Sequence, residues 1–376
     1  MANILIDLTQ IPNVKTGVAI YAKGFISKLK DTANHYYLLV QRDEKDYDHL
    51  QNKKIKLIRL KSKLFRNIFF RTLIEQIYIP YLSIKLKISL VHSMHYSFPF
   101  VLFCKRLISV HDMTFFLYPE YHLKIKVIYF RFFIRLIPFF ADKIVFVSKS
   151  TQNDFLKRFP HTKKSKVEQI YVGIDSNINS ENMKSNHVLN KYSLDCRKYI
   201  LFIGTIEPRK NLDGLLSAFS QYCKRCKDIN LAVIGMIGWK YNDRFYELEP
   251  SVSERIKMLG YVDESEKSII LSNSLIFIYP SFYEGFGIPI LEAMISKVPV
   301  ITSNISSMPE VIGDSGLLIE PTKVETITDA MIKLTDDKEL REDLVKRAYR
   351  RIDLFSSEQA CQQYVELYNR TIKENV

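Results

Sequence analysis

Short β-branched and aliphatic runs alternate with longer stretches of helical periodicity along the whole 376-residue chain. That alternation predicts an α/β fold with mainly parallel sheets, because parallel strands need crossover helices between them. In the first half the predicted strands cover residues 4–8, 36–40, 55–60, 89–92, 107–110, 143–147 and 167–172. Residues 173–197 then turn polar and rich in Asn and Ser and lose all periodicity, as a connector does. The strand pattern restarts at 199–204 and continues at 231–235, 275–279 and 298–302. Two Rossmann-like domains are expected, 1–175 and 198–355, joined by a linker over 176–197. In the tail, 356–376, Ala360, Tyr364, Leu367 and Tyr368 share one helical face, so a terminal helix is expected to return toward the first domain.

Composition narrows the class. With 47% hydrophobic and 25% charged residues and only 12 Gly and 13 Pro, disordered and collagen-like readings are excluded. The longest uncharged stretch, 88–104, carries two His, three Ser and a Pro, so no membrane-crossing helix is expected. No charged-then-apolar leader precedes the first strand, which predicts a cytoplasmic protein. Five scattered cysteines fit reduced thiols. Cys223 and Cys226 form a CxxC at the end of a helical pattern, where the dipole disfavours a thiolate, and no second Cys/His pair completes a zinc site.

Charge is unevenly spread. Residues 1–180 hold 29 Lys and Arg against 13 Asp and Glu, a net +16, while 181–376 hold 25 against 28, a net −3. Stretches 59–71 and 122–143 mix this charge with bulky apolar residues, and Lys124, Arg131 and Arg135 fall on one helical stripe. The pattern reads either as an interfacial helix on an anionic membrane or as a solvated face whose basic stems cover apolar surface. Nucleic acid is not the expected partner, because no helix-turn-helix, zinc-finger or ribonucleoprotein-type motif is present.

Candidate chemistry sits in loops that follow strands. Gly17 ends the loop after the first strand and precedes a helical pattern, a place where backbone amides approach a phosphate or where Gly simply makes the turn. No GxGxxG occurs, which argues against a dinucleotide-dependent oxidoreductase. His111 and Asp112 follow a strand at the edge where open parallel sheets place ligands. His92 and His95 lack the carboxylate or Cys companions of a metal site. Between a strand and a helix, Gly204 to Asn211 brings Thr205, Arg209 and Lys210, and two cations at a helix N-terminus suit a diphosphate. A second strand-to-helix loop holds Glu284, Gly285, Phe286, Gly287, Ile288 and Pro289, with Glu292 one turn into the helix. The two carboxylates can address different parts of one ligand.

These segments resemble the retaining glycosyltransferases of family 4, which have the GT-B fold, and among them bacterial mannosyltransferases of O-antigen and capsule assembly. The resemblance runs through Thr16 to Tyr21, Val110 to Thr114, Pro119-Glu120, Val147 to Ser150, Gly173 to Asp175, Glu207-Pro208-Arg209-Lys210-Asn211, Glu284 to Glu292, Pro309-Glu310 and Gly316. It implies two domains facing a central cleft. Arg209 and Lys210 would hold the donor diphosphate, Glu284 the transferred sugar and Glu292 the nucleotide ribose. The backbone of Gly285, Phe286, Gly287 and Ile288 would line sugar and phosphate, Gly17 would approach the diphosphate, and His111 would hydrogen-bond the donor sugar. Two positions depart from the pattern: Thr205 stands where many relatives carry a further diphosphate-binding Arg, and Ser357 where a Trp often precedes the last helix.

The implied reaction moves a sugar, mannose from GDP-mannose by resemblance, without a metal. The basic first half points to an undecaprenyl-diphosphate-linked glycan as acceptor and to peripheral contact with the inner leaflet of the plasma membrane. Rival readings are a GT-B enzyme using a UDP- or dTDP-sugar with a soluble acceptor, a sugar-nucleotide epimerase, or a non-catalytic nucleotide-sugar-binding partner in an assembly complex.

Overall fold

The computed structural model describes residues 1–11, 17–29, 33–175, 185–238 and 248–374. The chain divides into two compact units, residues 1–175 with 355–376, and residues 176–354.

The first unit is built on a seven-stranded sheet. Its strands are β1 (Asn3–Asp7), β2 (His35–Val40), β3 (Ile55–Arg59), β4 (Leu90–Ser93), β5 (Lys105–Val110), β6 (Lys143–Phe146) and β7 (Val167–Gln169). Their order is β3-β2-β1-β4-β5-β6-β7 and every neighbouring pair is parallel. Leu5 of β1 lies between Tyr37 of β2 and Val91 of β4, fixing the register at the centre of the sheet. The inner strands are buried along nearly their whole length, as continuous aliphatic runs covered on both faces must be.

The second unit has six strands: β8 (Tyr199–Ile203), β9 (Asn230–Ile234), β10 (Ile256–Gly260), β11 (Ile276–Tyr279), β12 (Val300–Ser303) and β13 (Leu317–Ile319). Their order is β10-β9-β8-β11-β12-β13, again all parallel. The pattern of apolar runs had predicted four of them. It missed β10 and β13, the two edges: β10 buries only Ile256 and carries Lys257 and Gly260, and β13 is three residues long, so neither carries the dense apolar signal of a central strand. Within the stretch expected to be a linker, Ser185–Lys191 forms a helix whose Val188 and Leu189 are buried together with Leu194.

In both sheets the strand order reverses once, between β1 and β4 and between β8 and β11. Ligands of such sheets bind beyond the carboxyl ends of the strands that flank this reversal. The segments after β8 and β11 carry the candidate donor-binding residues other than Gly17.

The helix Ser357–Lys373 completes the first unit. Ser356 caps it by accepting the Gln359 N–H, and Ala360, Cys361, Tyr364, Leu367, Tyr368 and Thr371 form its buried face. It packs with the Gly17–Ile26 helix on either side of Gly173, at distances that leave no room for side chains. A Cβ on Gly24 would lie 2.1 Å from the Gly173 carbonyl oxygen, and one on Gly173 would lie 2.8 Å from Ser357 Cα. Tyr364 and Tyr368 reach into the sheet: the Tyr368 hydroxyl is 2.7 Å from His92 Nδ1, and Tyr364 meets the Tyr21 hydroxyl. Ser109 Oγ joins the two, 2.8 Å from both Tyr21 Oη and His92 Nε2. Thus His92, weighed for metal, is bound up in a buried hydrogen-bond network. Among the described residues no helix is long and apolar enough to cross a membrane.

Candidate functional site

After β8 the chain makes a short 3-10 turn, Pro208–Lys210, and Asn211 then adopts a left-handed conformation with φ 58°. Asn tolerates that region because its short side chain bonds locally. Its Oδ1 accepts the Gly214 N–H and caps the helix Leu212–Cys223, while its Nδ2 donates to the carbonyls of Pro280 at 3.2 Å and Pro321 at 2.7 Å. One buried side chain therefore ties the β8 loop to the loop after β11. The Phe282 N–H adds a bond to the Arg209 carbonyl at 2.9 Å. Arg209 and Lys210 stand just ahead of the helix rather than inside it.

The β11 loop is fixed from beneath by two serines. Ser306 Oγ donates to the Glu284 carbonyl at 2.6 Å, and Ser307 Oγ lies 2.9 Å from that oxygen and 2.8 Å from the Phe286 carbonyl. Gly287, at φ 107°, takes a conformation open to glycine, and Pro289 sits in the first turn of the helix Ile288–Ile295 that follows.

These loops bring the predicted charges together. Lys210 Nζ is 2.6 Å from Glu284 Oε1, and Arg209 Nη1 is 3.0 Å from Glu284 Oε2. Arg209 also pairs with Glu207, and Lys210 bonds the Tyr279 hydroxyl. Burial pushes the Glu284 carboxyl up, but the Arg209 and Lys210 charges outweigh it and hold it down at about 2. Burial lowers the pKa of the Lys210 ammonium, and Glu284 opposes that shift. The sequence had suggested two cations awaiting a ligand; the structure gives them Glu284 and Glu207 as resident anions, as buried charges require. Thr205 is exposed in the same loop, whereas Phe286, Gly287 and Ile288 are buried.

Glu292 lies one turn into the Ile288–Ile295 helix and is buried. Both its oxygens face Lys267 Nζ, at 3.0 and 3.1 Å. Lys267, Tyr279, Ser306 and Ser307 are site residues that the sequence reading did not single out. Only Lys267 gave a local signal, a cation in the first turn of a helix, where the dipole disfavours it.

Two candidates belong to the first unit. Gly17 is exposed at the start of its helix, and residues 12–16 of the expected phosphate loop lie outside the described residues. The His111 ring packs edge-on against Tyr21, with centroids 4.8 Å apart, and its Nε2 is 2.7 Å from the Met94 carbonyl. A carbonyl only accepts, so Nε2 carries the proton and Nδ1 is an acceptor, while burial lowers the ring's pKa and favours the neutral form. Tyr21 in turn is held by the Ser109 and Tyr364 network. The CxxC has no comparable setting: Cys223 and Cys226 are half-buried at the edge of the second unit's core, and burial raises the Cys223 pKa.

Comparison with known proteins identifies the family. The model of glycosyl transferases group 1 matches residues 189–351, and that of Glycosyltransferase Family 4 matches 15–177. The O-antigen chain mannosyltransferase B of Escherichia coli is 34% identical over 262 residues, 69% of each chain. The chain belongs to glycosyltransferase family 4. A second relative of this glycosyltransferase, the O-antigen chain mannosyltransferase RfbU of Salmonella typhimurium, is 25% identical over 325 residues, 85% of this chain and 87% of the relative. Sucrose-phosphate synthase from Thermosynechococcus elongatus shares its fold, with a TM-score of 0.76 over the full length of both chains at 18% identity. The fold of the glycosyltransferase is thus GT-B, with two parallel α/β sheets. In this family 4 enzyme the Arg209, Lys210 and Glu284 cluster and the Glu292–Lys267 pair are the built polar features of the second unit's reversal loops.

Proposed function

We propose that this glycosyltransferase moves mannose from GDP-mannose, with retention of configuration and without a metal ion, to an undecaprenyl-diphosphate-linked glycan in surface-polysaccharide synthesis. The Arg209–Lys210–Glu284 cluster carries the reading. A departing diphosphate needs positive charge that is already in place, and the two cations are fixed where they can exchange part of their bond to Glu284 for phosphate oxygens. The bond from the anomeric carbon to the phosphate oxygen breaks and its electron pair leaves with the diphosphate. The acceptor oxygen bonds that carbon on the same face, and its proton passes to the leaving phosphate oxygen. Glu284 meets the transferred sugar, Gly17 approaches the diphosphate, and His111 uses Nδ1 to accept a sugar hydroxyl. Glu292 takes the ribose. Mannose and the O-antigen setting are supported by the two mannosyltransferase relatives.

Nucleotide release tests this reading, with purified enzyme, membrane extract as acceptor, chelator present and a panel of GDP-, UDP- and dTDP-sugars. Release from GDP-mannose with mannose recovered in the lipid fraction is the expected result. Release from a UDP- or dTDP-sugar alone overturns the donor, sugar left in the aqueous phase overturns the lipid acceptor, and silence restored by a divalent ion overturns the metal-free step.

The surface of the first unit supports contact with the cytoplasmic face of the membrane. The Lys124–Phe140 helix buries Val127, Phe130, Ile134 and Ile137, yet on its other side Ile125, Ile128, Phe132 and Phe139 are each more than half exposed. That outward stripe disfavours the purely solvated face that the sequence left open. Beside it the guanidinium groups of Arg131, Arg135 and Arg158 gather around the Phe116 ring at 5.3 to 5.6 Å. Apolar side chains flanked by cations suit acyl chains beneath anionic headgroups. Flotation with anionic liposomes is expected at low salt, and Ile128→Asp with Phe132→Asp should abolish it while leaving thermal stability unchanged. Failure to float at low salt would remove the membrane contact.

A further inference from the structure

Lys267 lies in the first turn of the Glu264–Ser272 helix, which follows β10, and carboxylates hold it there. Its Nζ is 3.0 and 3.1 Å from the two oxygens of Glu292 and 2.7 Å from Glu264 Oε1. The three ammonium donors face three oxygens, which leaves none for a ligand. The side chains of Lys267 and Glu292 are only 13% and 9% exposed. Burial pushes the Glu292 carboxyl toward its neutral form, and the Lys267 charge opposes it. A neutral carboxyl would present a hydroxyl on one oxygen and lose half of its accepting face. The ionised group keeps lone pairs on both oxygens, side by side, beyond the two taken by the lysine.

We propose that Lys267 is a positioning residue for the donor nucleotide: it keeps the Glu292 carboxylate ionised and oriented so that its two oxygens accept the 2′- and 3′-hydroxyls of the ribose. The proposal rests on the ribose reading of Glu292 given above. A vicinal diol offers two adjacent O–H donors, and a carboxylate with both oxygens free to accept is their natural partner. Lys267 acts only through Glu292, so it governs how tightly the ribose is held and how well a missing hydroxyl is detected. It does not touch the bond that breaks.

Calorimetric binding of GDP and UDP, each beside its 2′-deoxy form, tests the idea on the whole enzyme. The wild type is expected to favour the ribonucleotide by about tenfold, the value of one hydrogen bond to a charged group. Lys267→Met is expected to weaken ribonucleotide binding about tenfold and the 2′-deoxy form, which keeps only its 3′-hydroxyl, clearly less, so that discrimination shrinks. Affinity should then recover as pH rises and Glu292 ionises, whereas Lys267→Arg should retain most of the discrimination at neutral pH. In a Glu292→Gln background Lys267→Met should have no further effect, because the two act as one unit. Lys267→Gln, compared by thermal melting, serves if Met at this buried position destabilises the fold. Equal weakening of ribo and deoxy forms, or full discrimination kept by Lys267→Met and Lys267→Gln, would overturn the proposal. If Glu292→Gln itself leaves discrimination intact, the ribose reading fails and the proposal falls with it; if only Lys267→Met and Lys267→Gln do, the ribose reading stands and the proposal alone is lost.

Discussion

Lys210→Ala is expected to lower kcat roughly 10²–10³-fold, the usual effect of removing one preorganised charge from a developing anion. The amine is buried, bonded to Glu284 and to the Tyr279 hydroxyl, so in the proposed reaction its charge would already be in place as the diphosphate departs. The same substitution leaves Glu284 to Arg209 alone, and breaking a buried pair commonly destabilises by about 3–5 kcal/mol. The two consequences must be separated. Single-turnover release of nucleotide from folded protein gives the first, and thermal melting gives the second. Lys210→Arg keeps the charge but not the compact ammonium, and should recover stability more fully than rate. Full activity in Lys210→Ala would remove Lys210 from the clamp.

Gly24→Ala is expected to be the most disruptive single methyl group in the first unit. The added carbon would lie 2.1 Å from the Gly173 carbonyl oxygen, a backbone atom, so relief requires the Gly17–Ile26 helix or the Gly173 segment to move. Neither moves freely, since Gly173 is itself pressed against Ser357 and Ala360 of the terminal helix. Overpacking of this kind costs about 3 kcal/mol or more when backbone must shift. For a unit of this size that corresponds to a fall of roughly 6–12 °C in Tm. Hydrogen exchange should quicken first in the terminal helix, where Tyr364 and Tyr368 lose their seating. An unchanged Tm would refute the three-way contact.

Legibility followed the range of the interactions. Central strands such as β1, β8 and β11 are buried on both faces and show as unbroken apolar runs. The edge strands β10 and β13 do not, and the short helix Ser185–Lys191 has too few turns to show a period. The two site loops were readable because each packs its chemistry into one segment between a strand and a helix. Arg209 and Lys210 stood out as cations at a helix start, but their pairing with Glu284 spans some 74 residues and left no local trace. Lys267 with Glu292, and Ser306 with Glu284, are likewise contacts across two elements. Conversely, the tyrosines of the terminal helix looked only like an apolar face. Their hydroxyls proved to be partners for Tyr21 and His92, directly behind the ring that supports His111.

The first unit is discontinuous in sequence, and this has a consequence for biosynthesis. Its sheet is finished when residue 169 has been made, but the helix that closes on Gly173 begins at Ser357. At ordinary translation rates the ribosome needs roughly ten to forty seconds to cross the intervening second unit. During that interval Tyr21, His92 and Ser109 stand without Tyr364 and Tyr368, and the apolar seat of the terminal helix is open to water or to a chaperone. The second unit, contiguous in sequence, can close before the first does. A nascent or truncated chain lacking residues 357–373 would therefore carry a finished second unit with an unfinished first one, so transfer activity would arise only once synthesis has passed the last tyrosine.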